Sequence, residues 1–282
     1  MNGIKKEARR GERLPVKIYR TSGLRNPSLI VGWQTQDAGK FSSRVINFLI
    51  EKLGGQEAAK IQPEDFFSFG GVRFKEDLVQ IQESKFWASE KGNLLIFKSD
   101  EPEFEHYRFL NSLLDVAEHY FQIKELYTLS ATVSLIAHTH PRRILTVFNQ
   151  MGIKKRLEGY GLESMTWQGP PAISSYLLWV ARKKGIPGVS LWPEIPFYLA
   201  AGEDPGAMKA VLSFLDERFN LHLELRVLDE EMKRQGEEIS RLRGENADID
   251  GSIRRLENGL PLDEEEQLKL AKEVYEFLRR KK

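Results

Sequence analysis

Residues 29–55 decide the fold class, and their sequence is LIVGWQTQDAGKFSSRVINFLIEKLGG. They open with a short apolar run, residues 29–33, which is typical of a buried strand. A loop follows as far as Gly39, and apolar residues then recur at helical spacing until Gly54-Gly55 ends the helix. A strand, a loop and a helix in this order form the opening unit of an open α/β sheet.

The same alternation of strands and helices continues to about residue 220. Further strands are predicted at residues 72–83, 94–97, 125–135, 144–148 and 189–192. Further helices are predicted after Pro102, from Gly169-Pro170-Pro171 to Lys184, and from Asp204-Pro205 to Phe219. We expect the strand at 72–83 to form one arm of a hairpin that ends near Phe86-Trp87. The pattern favours a mostly parallel sheet in a three-layer α/β/α sandwich over residues 1–220.

Residues 221–282 follow a different pattern, which predicts a helical C-terminal extension. From Leu221 to Leu256, apolar residues recur at alternating spacings of four and three, and only Gln235 and Asn246 interrupt them. After the stop signal at residues 258–261, a second amphipathic helix is predicted. Its apolar face would carry Leu268, Ala271, Val274 and Leu278.

Two arrangements of this extension are compatible with the sequence. It can fold as a helical hairpin onto its own domain, or it can form a coiled coil between subunits. In the second arrangement, the oligomerisation residues are Leu228, Met232, Ile239, Leu242, Ile249 and Ile253. Gly236, Gly244 and Gly251 each weaken a helix by about 1 kcal/mol, which counts against a long coiled coil.

The composition excludes several classes of function. Lys and Arg number 42 and Asp and Glu number 41, so a formal charge of +1 gives no long-range attraction to nucleic acid or to an anionic membrane. The absence of cysteine excludes disulfides, thiol nucleophiles and thiolate metal sites. No run approaches the roughly 20 apolar residues that span a bilayer, and the polar N-terminus does not read as a signal peptide. We expect a cytoplasmic protein.

The loop after the first predicted strand is the first candidate binding site. In open α/β sheets, ligands bind beyond the carboxyl ends of the strands, and this loop leaves such an end. Its candidate residues are Trp33, Asp37 and Gly39. Gly39-Lys40 is similar to the end of a P-loop, but six residues instead of four separate the two glycines, and Phe41 replaces the Ser or Thr that would hold Mg²⁺. We favour a tight turn in which Asp37 caps the helix, which leaves a ligand role open.

Two further candidates follow later strands. His138 and His140 can share a metal ion, but a metal site needs a third ligand, and none is marked by spacing. We expect these histidines to form local hydrogen bonds or to line a cleft. Glu194 can serve as a general base or a ligand acceptor, although capping or pairing within a packed crossover is favoured. No G-x-S-x-G elbow is present, so no metal, no cofactor and no catalytic centre are predicted.

Taken together, these segments resemble the proteasome assembly chaperone 2 family. The residues that carry the resemblance are 26–32 with Asp37-Ala38-Gly39, 94–97 with Glu101-Pro102, 138–142, Gly169-Pro170 with Tyr176-Leu177-Leu178, 194–198 and Asp204-Pro205. The resemblance implies a fold similar to that of nucleoside phosphorylases and a homo-oligomer, often a trimer in bacterial members. It also implies protein partners, since eukaryotic relatives chaperone proteasome assembly.

One feature of some archaeal relatives is missing from this sequence. Those relatives dock on the proteasome through a C-terminal tripeptide of a hydrophobic residue, tyrosine and any residue. This chain ends Arg279-Arg280-Lys281-Lys282, and Tyr275 lies too far inside, so we do not expect that mode of docking. Family members are often labelled as ATP-grasp enzymes, but no motif here supports such an active site.

Two functions therefore follow from the sequence. The first is a non-enzymatic, self-assembling protein that acts as a chaperone or scaffold for protein partners. The alternative is a protein that binds a nucleoside-like or phosphate-like small molecule, or an enzyme similar to a hydrolase or phosphorylase. Its site would lie at the carboxyl ends of the strands, where Trp33, Asp37, Gly39, His138 and Glu194 would line a cleft.

Overall fold

The computed structural model of the chain describes residues 16–19, 23–68, 73–75, 78–80, 82–166 and 172–280. Within these residues, helices cover both faces of a central mixed sheet and a helical segment follows, which confirms the predicted α/β/α sandwich with its C-terminal extension. No helix in the described part of the chain is long and apolar enough to cross a membrane.

The described residues contain strands in the predicted segments, together with several further strands outside those segments. Their bounds are β1 Val16–Ile18, β2 Ser28–Trp33, β3 Gln56–Ile61, β4 Arg73–Lys75, β5 Leu78–Gln80, β6 Ser84–Ser89, β7 Leu94–Ser99, β8 Glu125–Leu129, β9 Thr132–Ser134, β10 Ile144–Phe148, β11 Glu163–Ser164 and β12 Gly188–Pro196. The main sheet has the order β1-β3-β6-β7-β2-β8-β12-β10-β11, and β9 pairs with the end of β12.

The middle of the sheet is parallel and its flanks are largely antiparallel. Strand β2 is parallel to both β7 and β8, and β8 is parallel to β12. In contrast, β10 runs antiparallel to β12, and β6 runs antiparallel to β7 and to β3. The prediction of a mostly parallel sheet is therefore wrong at the flanks, although only β6 and β7 among the described strands are joined there by a short turn.

Eight α-helices occur in the described residues. They are α1 Phe41–Lys52, α2 His106–Phe121, α3 Met151–Arg156, α4 Ile173–Lys183, α5 Pro205–Phe219, α6 Arg226–Glu245, α7 Ala247–Glu257 and α8 Glu264–Arg279. Helices α1 and α5 pack on one face of the sheet together with the C-terminal helices. Helices α2 and α4 pack on the other face. Alternate residues of β2 supply both clusters, since Ile30 belongs to the first and Leu29 and Val31 to the second.

Two predicted strands are broken into shorter ones. The segment 72–83 contains β4 and β5, which pair with each other as a separate hairpin, so β6 is not the second arm. The segment 125–135 contains β8 and β9, because the chain leaves the ladder at Ser130-Ala131 before it pairs with the far end of β12. The predicted helix start at Gly169-Pro170-Pro171 lies outside the described residues, and α4 begins at Ile173.

The heptad pattern of the C-terminal extension forms two helices instead of one continuous helix. Residues 221–225 precede α6, and Asn246 ends α6 and caps α7 by accepting hydrogen bonds from the backbone N–H groups of Asp248 and Ile249. An asparagine side chain stabilises a helix start by satisfying its first N–H groups, so the polar position in the heptad pattern marks a break.

The extension folds back onto its own chain. Five of the six predicted oligomerisation residues are buried within a single chain, in the same cluster as α1 and α5: Leu228, Ile239, Leu242, Ile249 and Ile253. Met232 is 40% exposed. The hairpin arrangement is thus present in the chain, whereas a contact between subunits through these residues stays a prediction. The domain boundary at residue 220 also stays a prediction, since one apolar cluster crosses it.

Helix α8 confirms the second amphipathic helix, since Val274 is buried and Ala271 and Leu278 pack against the core as predicted, but its buried face differs from the predicted one at Leu268. Leu270 and Val274 are fully buried, whereas Leu268, which was expected on the apolar face, is 74% exposed. The buried side chains are four residues apart, and Phe277 continues the stripe. A second apolar position on α8 therefore faces solvent.

Candidate functional site

The candidate residues lie at the carboxyl ends of the parallel strands. Trp33 ends β2, and the following loop includes a short 3₁₀ helix at Ala38–Lys40 before α1 begins. Glu194 lies near the end of β12, and a second short 3₁₀ helix follows at Phe197–Leu199. His138 lies between β9 and β10. The sheet topology therefore places the loops at one edge, as the prediction requires.

Asp37 holds the start of α1. Its Oδ1 accepts a hydrogen bond from the backbone N–H of Ser42 at 2.7 Å, and its Oδ2 accepts one from Ser43 at 2.8 Å. Burial raises the pKa of Asp37, while these hydrogen bonds oppose the rise by stabilising the carboxylate. Both carboxylate oxygens are engaged by the helix, which agrees with the capping role.

Gly39 joins the loop after β2 to the segment after β12. Its backbone has φ 61°, and its N–H donates a hydrogen bond to the carbonyl oxygen of Ala200 at 2.7 Å. A Cβ at this position would lie 2.9 Å from Cδ1 of Ile195. The left-handed backbone favours glycine here, and a side chain would also press against the end of the Ile195 side chain.

His138 is held by Tyr198 at two points. The backbone N–H of His138 donates a hydrogen bond to the Tyr198 hydroxyl oxygen at 2.6 Å, and Nδ1 of the ring lies 2.9 Å from the same oxygen. Burial, together with the positive charges of Arg142 and Arg243, lowers the pKa of His138 to about 4. The imidazole is therefore neutral near pH 7, and the Tyr198 hydroxyl can donate its proton to Nδ1.

A buried ion pair between Arg142 and Asp204, which the sequence did not reveal, joins the loop that carries His138 to the start of α5. Nε of Arg142 donates to Oδ2 of Asp204 at 2.8 Å, and both side chains are buried, with exposed fractions of 5% and 0%. Nη1 of Arg142 also donates to the carbonyl oxygen of His140 at 2.5 Å. Asp204 caps α5 by accepting from the N–H groups of Gly206 and Ala207. Arg142 and Asp204 lie in motif segments, but their pairing could not be read from two positions so far apart.

Glu194 and Trp33 make separate contacts. Glu194 is buried and accepts two hydrogen bonds from Arg143, at 2.6 Å from Nε and 2.9 Å from Nη2. Trp33 packs in the aromatic core, with ring centroids 6.2 Å from Phe97 and 6.5 Å from Phe109. Gly39 and His138 thus contact one shared segment, residues 195–204, whereas Trp33 and Glu194 are engaged elsewhere.

The histidine pair is not part of a metal-binding cluster in the described residues. Within that part of the chain, the carboxylates and histidine close enough to share an ion are those of Asp115, Glu118 and His119 on α2. Lys184 pairs with Asp115 at 2.6 Å, so one of these carboxylates is already engaged by a cation. Exposed acidic groups of this kind are common without a metal.

A family model described as the PAC2 family matches residues 29–243. The chain belongs to the PAC2 family. The match extends beyond the predicted sandwich into α6, which it covers as far as residue 243. Among curated proteins, none matches this chain in sequence.

Solved structures show the same PAC2 fold at low sequence identity. A protein of unknown function from Corynebacterium glutamicum is 19% identical with a TM-score of 0.75, covering 88% of this chain and 97% of its own. A proteasome-assembly chaperone homologue from Mycobacterium tuberculosis is 16% identical with a TM-score of 0.69, covering 80% and 99%. PbaB from Pyrococcus furiosus, described as an archaeal proteasome activator, is 21% identical with a TM-score of 0.67, covering 81% and 98%.

This PAC2 family chain has a cleft between the segment after β12 and the C-terminal helices. Its volume is about 640 Å³, and α6 and α8 form one wall. The charged side chains that line it are Lys40, Arg44, Arg234, Arg279, Glu203, Glu231 and Glu238. Arg44 pairs with Glu231 at 2.6 Å, and Lys40 pairs with Glu203 at 3.3 Å. None of the five predicted cleft residues lines this cleft, although Lys40 follows Gly39 directly.

Proposed function

We propose that this chain is a non-enzymatic protein that assembles with copies of itself and acts as a chaperone or scaffold for other proteins. Membership of the PAC2 family supports the proposal. Two of its structural neighbours are described as a proteasome activator and as a homologue of a proteasome-assembly chaperone. Proteasome subunits are accordingly the first protein partners to test.

The observation that carries the proposal is that the polar residues at the strand ends make contacts within the chain. Asp37 caps α1, the buried carboxylate of Glu194 is paired with Arg143, and His138 is held by Tyr198. Each of these groups fixes a loop through contacts within the chain. Loops fixed in this way form a preorganised surface, which lowers the entropic cost of binding a partner protein.

The position of the C-terminal extension supports self-assembly through the outer surface of the chain. Most of the apolar heptad residues are buried within one chain, so they stabilise the fold from inside. Of the six predicted oligomerisation residues, Met232 remains exposed, and other exposed residues are available for a contact between subunits. Several large apolar side chains are exposed, including Trp179 at 46% and Leu268 at 74%.

A second candidate function is favoured by the cleft beside α6 and α8. Its volume lies within the range of roughly 300–1,000 Å³ that is usual for small-molecule sites. Arg234 and Arg279 line it and form no ion pair among the described residues, so an anionic small molecule would find two available guanidinium groups. This candidate corresponds to the nucleoside-like or phosphate-like ligand, at a position displaced from the predicted one.

Native mass spectrometry of the full-length chain, alone and mixed with proteasome subunits of the same organism, tests the first candidate. We expect a homo-oligomer and a complex of fixed stoichiometry with unassembled subunits. A chain that stays at 32.5 kDa and forms no complex would contradict the proposal.

A thermal-shift screen of nucleotides, nucleosides and sugar phosphates tests the second candidate. A ligand at 100 times its dissociation constant should stabilise the fold by about 2.7 kcal/mol. The variant Arg234→Glu/Arg279→Glu should lose the shift if the ligand binds in the cleft. A shift that survives in this variant would place the ligand elsewhere.

A further inference from the structure

An exposed aromatic surface lies where α2 and α4 pack together. Tyr107, Tyr176 and Trp179 form a cluster with ring centroids 5.5–6.4 Å apart. Tyr107 is 45% exposed and Trp179 is 46% exposed, although neighbouring residues of both helices are buried in the core. We name these three residues the aromatic surface. Tyr and Trp are the residue types that most often dominate the binding energy of protein interfaces.

The aromatic surface is bordered by cations that lack carboxylate partners. Nζ of Lys183 lies 3.7 Å from the ring centroid of Trp179 and 5.7 Å from that of Tyr107. Among the described residues, neither Lys183 nor its neighbour Arg182 forms an ion pair, whereas Lys184 pairs with Asp115. The surface therefore suits an apolar side chain that is accompanied by carboxylates.

A surface of the opposite character lies on the first two turns of α8. Leu268 is 74% exposed, the highest value among the exposed large apolar residues in the described part of the chain. Glu264 and Glu265 precede it by four and three residues, so they share its side of the helix. Both are exposed and form no ion pair among the described residues, whereas Glu266 pairs with Arg255. We name these three residues the acidic surface.

We propose that the aromatic surface of one copy of the chain binds the acidic surface of a second copy. The contact would place Leu268 against Trp179 and Tyr107, and Glu264 and Glu265 beside Arg182 and Lys183. This inference rests on the self-assembly in the proposed function and assigns its interface. Charge complementarity and the two unpartnered apolar surfaces carry it.

The positions of the two surfaces favour a head-to-tail contact over a two-fold one. In a two-fold interface the aromatic surface of each chain would have to meet the acidic surface of the other at the same time, which requires both surfaces on one side of the chain. The surfaces belong to opposite sides of the sheet, since α2 and α4 pack in one apolar cluster and α8 packs in the other. Head-to-tail contacts close into rings when the rotation allows it.

Light scattering after size exclusion tests the interface with matched single variants of the full chain. Trp179→Ser should lower the native mass toward 32.5 kDa, whereas Tyr120→Ser should not, although Tyr120 lies on the neighbouring helix α2 and is 44% exposed. Leu268→Ser should act like Trp179→Ser, with Met151→Ser, at a position 66% exposed, as its control. Circular dichroism checks that each variant is folded.

Charge reversal tests the pairing of the two surfaces. Arg182→Glu/Lys183→Glu and Glu264→Lys/Glu265→Lys should each weaken association at least about tenfold, which corresponds to about 1.4 kcal/mol. The variant that combines all four substitutions should regain much of the wild-type association, because the two signs are exchanged.

Three outcomes would overturn the interface. They are a native mass unchanged by Trp179→Ser, a native mass unchanged by Leu268→Ser, and a combined variant no better than its parents. If the wild-type chain assembles in these cases, the proposed self-assembly stands and only its assigned interface fails. A wild-type chain that is monomeric would instead contradict the self-assembly of the proposed function itself.

Discussion

Replacing Asp204 by alanine should be among the most damaging single substitutions in this chain. The carboxylate of Asp204 is fully buried and holds Arg142 through two hydrogen bonds, at 2.8 and 3.3 Å. It also accepts hydrogen bonds from the first N–H groups of α5. One substitution thus removes the partner of a buried cation and the cap of a helix.

The expected loss follows from these two contributions. Removing one partner of a buried ion pair costs about 3–5 kcal/mol, because the remaining charge stays buried without compensation. Losing an Asp cap costs about 1 kcal/mol more. Together they approach the whole free energy of unfolding of a typical domain, about 5–15 kcal/mol. Asp204→Asn should cost less, since the amide oxygen can still cap α5.

Urea denaturation followed by tryptophan fluorescence measures the effect. Asp65→Ala is the matched control, because Asp65 pairs with Arg108 at 3.0 Å while half-exposed, and exposed pairs contribute less than about 1 kcal/mol. Arg142→Met in the Asp204→Ala background should recover stability by removing the uncompensated charge. A cost for Asp204→Ala no greater than that for Asp65→Ala would refute the reasoning.

A fall in pH and three glycine substitutions also have defined outcomes. As the pH falls from 6.5 to about 4, the fold should lose about 3 kcal/mol of stability through His138, because the unfolded chain binds this proton at the ordinary pKa and the folded chain only near 4. Urea titrations at several pH values should show a smaller loss for His138→Gln, and an equal loss would contradict the buried neutral imidazole. Gly236→Ala and Gly251→Ala should each stabilise the chain by about 1 kcal/mol, because both lie within helices and a Cβ there meets no atom within 4 Å. Gly39→Ala should be destabilising, since φ of Gly39 is 61° and the new Cβ would lie 2.9 Å from Ile195. A melting temperature raised by Gly39→Ala, as expected for the two helical glycine variants, would contradict this.

The parallel centre of the fold could be predicted because its signal is local. A continuous apolar run such as residues 29–33 indicates a strand buried on both faces, and every residue of β2 is indeed buried. The short flanking strands β1 and β11 were missed because each has only two or three residues, too few to establish a period.

The sequence did not reveal that Leu270 is buried on α8 while Leu268 is exposed. Leu268 and Leu270 are both leucines on one helix, and only the packing of α8 against the rest of the chain selects Leu270. In the same way, Trp179 lies on the outer side of α4, where a helix with apolar residues on two sides reads simply as a core helix. Surplus apolar positions on the outer side of a helix are the signal that could have indicated both surfaces.

The sequence predicted the loops that form the candidate site but not the side-chain pairs that join them. The loops after β2 and β12 were expected at one edge of the sheet, and the sheet topology places them there. The pairing of Arg142 with Asp204, and of His138 with Tyr198, joins positions about 60 residues apart. No local pattern encodes such pairs, because they depend on how β10 and α5 are placed by the whole sheet.

The native mass of the full-length protein, measured by light scattering over a wide range of concentration, tests the central claim most directly. A self-assembling scaffold should elute at a fixed multiple of 32.5 kDa that persists on dilution. A mass of 32.5 kDa at every concentration would contradict self-assembly, and attention would then turn to the cleft beside α6 and α8.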